Sequence, residues 1–272
     1  ELQGLFARMR DAGCTHVVME VSSHALTLDR VGGVHFDVAA FTNLTEDHLD
    51  FHETMDNYCK AKTMLFRTLG AKGEKAGLAK TAIINIDDAW SNHFMVASNA
   101  PVITYGIEKD GSWKAEDVQV TAEGVRYTVD GLPVNLQLNG RFNVYNSLAA
   151  LAVGEALGFP VADVIKALEQ VPGIAGRFQK VEGSQDYTVI VDYAHTPDAV
   201  EKIIKEVSKI KHNRIITIIR IKKDVIEIHP FFYIFITSIN RYYGNIVTPL
   251  PEPTLLWKLP QPPPKPKQPQ NP

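Results

Sequence analysis

The sequence predicts an α/β fold: a mostly parallel central sheet flanked by helices, then the start of a Rossmann-like domain and an irregular, proline-rich tail. Three observations carry this. Short apolar runs at 15–20, 36–41 and 81–86 each end in polar, chemically loaded residues. Segments of helical period stand between and after them, above all at 55–69 and 140–156. Between these, residues 113–138 alternate polar and apolar positions around Asp130-Gly131, a hairpin signal.

Taken in order, Leu2, Leu5, Phe6 and Met9 recur at helical spacing, with Gly13 placed to end the helix. The run at 15–20 reads as the first strand of a parallel βα series and delivers Glu20, Ser22, Ser23 and His24 at its end. Ser22 or Ser23 can cap a short helix that closes at Arg30, whose planar fork of donors suits phosphate. The second run, 36–41, is followed within a dozen residues by Asp47, His48, Asp50 and His52. Ligands bind at the carboxyl ends of strands in open α/β sheets, so two such clusters mark the place for chemistry. Oxygen and imidazole donors there, Glu20 and His48 foremost, suit a hard cation such as Mg2+.

The helix expected at 55–69 sets Tyr58, Lys62, Leu65 and Phe66 close to one face. Lysines ordinarily snorkel away from such a face, so Lys62 is unusual there. A strand at 101–106 and antiparallel strands over 113–138 complete the sheet. Asn143 and Asn146 lie one turn apart on the next helix, so both amides face one way; capping explains at least one of them. A second helix covers 161–170. The hinge-like 172–176 places a domain boundary after residue 173. A strand at 188–192, a helix from Pro197 to about 210 and a strand at 214–219 follow.

Several classes are excluded by composition. A net charge of -3 leaves no basic footprint for nucleic acid. No apolar run is long enough to span a membrane. Two cysteines, Cys14 and Cys59, without metal-type spacing fit a reducing cytoplasm.

Glu-Val-Ser-Ser-His at 20–24, Thr-Asn-Leu-Thr-x-Asp-His-Leu-Asp-Phe-His at 42–52 and Lys-x-x-Leu-Phe at 62–66 resemble the Mur ligases of peptidoglycan synthesis, over residues 1–219. The resemblance implies an ATP-dependent, ADP-forming ligase acting as a monomer, with ATP and Mg2+ as cofactors. Its substrates would be UDP-MurNAc-L-Ala-D-Glu and a diamino acid, meso-diaminopimelate ahead of L-lysine. It implies metal ligation by Glu20, His48 and a carbamylated Lys62, and substrate contacts from Ser22 and Arg30. Nucleotide contacts would come from Asn143, Asn146, Arg177 and Asp192, with His195 near the phosphates as a catalytic residue. It divides the chain into 1–173, the latter part of the central ATP-binding domain, and 174–219, a partial C-terminal domain.

From Arg220 the resemblance stops, and ten of the 24 residues from Pro249 to Pro272 are proline. Residues 220–272 therefore read as an aberrant or disordered tail. No phosphate loop and no acceptor-selecting Asp-Asn-Pro-Arg segment occurs, and no methionine leads the chain. An internal fragment without turnover is the expectation. A non-catalytic fragment and a metal-dependent hydrolase stand as alternatives, since Asp-His-x-Asp-x-His could also hold a metal-bound water.

Overall fold

The structure is a computed structural model, describing residues 1–70, 79–121, 123–181, 183, 187–194, 197–209, 214–219 and 232–237. Its centre is a six-stranded sheet in the order β1-β2-β3-β4-β5-β6. The strands are β1 (Val38–Phe41), β2 (Thr81–Asn85), β3 (Val102–Gly106), β4 (Trp113–Val120), β5 (Val125–Val129) and β6 (Leu132–Leu136). β1 to β4 run parallel, and β4 to β6 form the expected antiparallel meander. Asp130 and Gly131 both take positive φ, 48° and 72°, which the two-residue turn between β5 and β6 requires.

Helices cover both faces. Alternation along β2, buried at every position, explains how. Ile83 joins one cluster with Val144, Leu148 and Leu151 of α6 (Phe142–Ala156). Ala82 and Ile84 join the other, with Cys59 and Phe66 of α4 (Met55–Thr68) and Phe94 of α5 (Ser91–Ala97). Phe41 stacks on Phe94 at 3.7 Å between ring centroids. Helix α7 (Val161–Glu169) packs on α6, and Gly154 lets them approach: a Cβ there would meet Val164 Cγ2 at 2.7 Å.

A second sheet has the order β7-β8-β10-β9, from β7 (Gln179–Val181), β8 (Tyr187–Asp192), β9 (Arg214–Ile219) and β10 (Phe232–Thr237). β8 and β9 are each antiparallel to β10, hence parallel to one another, and α8 (Pro197–Ser208) connects them. This is the βα unit read from the sequence, with an inserted strand. β10 falls in the stretch expected to be irregular; its Ile and aromatic content suits a strand. The remainder of 220–272 lies outside the described residues.

One predicted element is absent. Residues 15–20 form no strand; Val18 is 95% exposed, Val17 47%, and no described strand pairs with them. The β propensity of such a run reflects fit to a pleated, half-buried surface, and without a ladder partner there is no such surface. Before it, α1 (Leu2–Asp11) ends as read, with Gly13 at φ 83°, but buries none of its residues.

Candidate metal and nucleotide site

With the first strand missing, its exposed carboxylate Glu20 stands in an irregular segment. Glu20 precedes α2 (Ser23–Thr27), whose N-cap Ser22 accepts a hydrogen bond from the Ala25 amide at 3.1 Å. The second segment leaves β1 and is held by three groups from neighbouring strands. The Asn85 side-chain amide and the Tyr105 hydroxyl donate to the carbonyls of Thr42 and Phe41 at 2.8 and 3.2 Å. Asp88, just past β2, accepts from the Leu44 amide at 3.1 Å.

That scaffold leads to His48, held at φ 55°, a left-handed conformation uncommon outside glycine, at the head of α3 (Leu49–His52). Asp47 accepts from the His48 amide at 2.8 Å, and its other oxygen lies 3.5 Å from His48 Nε2. The His24 ring is edge-on to His48, with centroids 5.0 Å apart. The side of α4 facing this cluster presents Tyr58 and Lys62, with Lys62 Nζ 5.6 Å from the Tyr58 ring centroid.

Lys62 is the electrostatic focus. Burial lowers its pKa by penalising the ammonium, while the carboxylates of Asp47 and Glu20 pull the other way. His48 and Lys62 flank Tyr58, whose ring centroid lies 6.0 Å from that of His48 and 5.6 Å from Lys62 Nζ. Among the described residues no three His, Cys, Asp or Glu side chains converge as a metal set. Mg2+ usually keeps several waters beside one or two protein ligands, and a carbamylated Lys62 would add one more anionic oxygen to Glu20 and His48.

The sequence reading missed the buried bond between His52 Nε2 and Ser23 Oγ, 2.8 Å long, and the stacking of Tyr58 on His52 at 5.2 Å. The detectable signal was Ser-Ser-His and Asp-Phe-His in loops already suspected of meeting.

The nucleotide residues are placed unequally. Asn143 is buried and donates to the Asn139 carbonyl at 2.7 Å while accepting from Asn146 at 3.0 Å. Asn146 is exposed and is the amide presented outward. Arg177 lies over the Tyr193 ring at 4.7 Å. Asp192 is buried and accepts from the amides of Phe178 and Ala194, both at 2.7 Å, which pins the Arg177 segment onto β8. Arg30 is exposed after α2. His195 lies outside the described residues.

One turn joins the two regions. Beside Asp88, which holds the His48 loop, Asp87 accepts from the amides of Ile107, Glu108 and Lys109 and from the Tyr145 hydroxyl of α6.

This sheet, with its polar cluster after β1 and the lysine of α4, is that of the Mur ligase family, to which the chain belongs: the Mur ligase middle domain matches residues 1–154 and the Mur ligase glutamate ligase domain residues 176–227. Among its relatives is the UDP-N-acetylmuramoyl-L-alanyl-D-glutamate--2,6-diaminopimelate ligase of Halalkalibacterium halodurans, 45% identical over 77% of this chain and 43% of the relative. The ligase of the same name from Lactiplantibacillus plantarum is 46% identical over 73% of this chain and 41% of its own. A solved structure of a ligase of that name superposes with a TM-score of 0.66 at 28% identity, covering 78% of this chain and 44% of its own. MurF from Acinetobacter baumannii shares the fold, with a TM-score of 0.56 at 23% identity over 64% of this chain and 37% of its own. The chain thus spans less than half the length of these relatives. No helix among the described residues is long and apolar enough to cross a membrane.

Proposed function

We propose that this chain provides the metal- and nucleotide-handling part of an ATP-dependent, ADP-forming ligase that adds meso-diaminopimelate to UDP-N-acetylmuramoyl-L-alanyl-D-glutamate. The observation carrying the reading is Lys62, a lysine disfavoured as a cation by burial, on the side of α4 where Tyr58 stands between it and the His48 ring. The choice of amino acid is supported by relatives bearing that name at 45% and 46% identity. The chain covers less than half of each, so its assigned share is the site rather than the whole reaction.

A lowered pKa raises the fraction of neutral amine, which can attack carbon dioxide. An N–C bond forms, one C–O π pair moves onto oxygen, and the ammonium proton leaves to Asp47 or water. The resulting carbamate would be an anionic oxygen donor, and with Glu20 and His48 it would hold Mg2+. Magnesium, when bound, offsets the negative charge that develops in phosphoryl transfer. Asn146 would read the adenine edge and Arg177 would meet the nucleotide, steadied by the Tyr193 ring and by Asp192. Asp192 would meet the nucleotide at its ribose, and Ser22 and Arg30 would contact the UDP-muramoyl substrate. A metal-dependent hydrolase would need no nucleotide-binding set, so Asn143, Arg177 and Asp192 weigh against that alternative.

The test is a carbon-13 NMR spectrum of the chain in labelled bicarbonate. A carbamate signal is expected, absent in Lys62→Ala and weaker at acidic pH, where the amine is protonated. A spectrum identical for both proteins would sink the lysine assignment. Diaminopimelate is checked in the full-length protein against equimolar L-lysine, where faster lysine ligation would overturn that choice alone.

A further inference from the structure

The Ser23-His52 pair remains without a role in the chemistry above. Ser23 is fully buried and His52 is 6% exposed, and they meet at 2.8 Å across 29 residues of sequence. Each stands close to a proposed ligand: Ser23 is three residues after Glu20, and His52 is four after His48. His52 is held in its turn. Its carbonyl accepts from the Thr54 amide at 2.7 Å and the Asn57 side chain at 3.1 Å, and Tyr58 of the Lys62 helix stacks on its ring.

Stability alone does not account for such a pair. Two apolar side chains of similar shape would fill the space at little or no loss, whereas a buried hydroxyl and imidazole must satisfy each other. A directional bond fixes distance and angle between two segments, which apolar packing does less sharply.

We propose that Ser23 and His52 are positioning residues, a buried clasp that sets the spacing between the Glu20 segment and the His48-Lys62 unit and so the geometry of the cation site. The inference rests on the metal reading above, and its test separates the two. Mn2+ binding to the 272-residue chain is followed by electron paramagnetic resonance, with circular dichroism melting as the control for folding. Wild type should bind, and Glu20→Gln should weaken binding; equal affinities there would sink the metal reading and the clasp with it. Given that difference, Ser23→Ala and His52→Leu should each weaken Mn2+ binding by about 10-fold or more, the scale seen when groups that orient metal ligands are removed. The double variant should lose no more than the worse single one, because one bond is removed in all three.

His52→Gln supplies the rescue. Its amide nitrogen reaches the place of the ring's Nε2, so Mn2+ affinity should stay within about 3-fold of wild type, well short of the loss for removing such a group. It also carries the test if Ser23→Ala does not fold. Folded variants with lowered melting temperatures but unchanged Mn2+ affinity would overturn the proposal, as would additive losses in the double variant or a Gln variant as weak as the Leu one.

Discussion

At the scale of single residues, Asp87 carries the clearest energetic signature. Burial alone would push its carboxyl up. The amides of Glu108, Ile107 and Lys109 and the Tyr145 hydroxyl outweigh that and hold it below its ordinary 3.8. A folded-state pKa below the unfolded value adds stability that is complete above the ordinary carboxylate range and is lost as pH falls from there through the lowered folded-state value. Asp87→Ala strands donors that bind a charged acceptor, so a loss of roughly 2 kcal/mol is expected by urea titration at neutral pH. The gap from wild type should close toward pH 3. A gap that stays constant down to that pH would show that the carboxylate's charge is irrelevant. Asp87 was legible in the sequence only as a polar residue ending a buried strand. Its partners come from β3-β4 and α6, which no local pattern announces.

At the scale of elements, legibility tracked how local the determinants are. The β5-β6 turn was readable from Asp130-Gly131 because two positive φ values in succession demand such residues. Helix α4 was readable from its period, and its Thr54 cap accepts from the Asn57 amide at 3.2 Å. The expected strand at 15–20 failed because pairing is not a local property, and no described strand lies beside it. The site divides in the same way. Glu20, His48 and Lys62 stand out as residue types in loaded segments, whereas the Ser23-His52 bond needs the fold to bring its partners together. Gly131 gives the element-scale test. Open space surrounds it, so a Cβ there meets nothing and the penalty is purely that of φ 72°. Gly131→Ala should cost about 1 kcal/mol in thermal or urea unfolding, the usual penalty for a left-handed non-glycine residue. No measurable loss would mean that the turn relaxes to another type.

At the scale of the whole molecule, the clusters of buried side chains differ greatly in size. The two that sandwich the six-stranded sheet share β2, with Ile83 on one face and Ile84 on the other. Among the described residues, the buried apolar cluster of the second sheet comprises Phe178, Ile190, Ala194, Ile203 and Val207. Phe142, at the start of α6, packs against that cluster with its ring 5.6 Å from Phe178, and the Arg141 amide donates to Glu206 of α8 at 3.1 Å. Regions with less buried apolar surface open at lower free energy than the core. Amide hydrogen exchange should therefore be faster in α8 than in β2 by about 100-fold, which at about 1.4 kcal/mol per tenfold corresponds to about 2.8 kcal/mol of difference in opening free energy. Phe142→Ala removes the ring that packs the start of α6 against the small cluster and should speed exchange in α8 by about 10-fold while leaving β2 nearly unchanged. Equal acceleration in both elements would mean that the two sheets open together, with Phe142 acting on a single cooperative unit.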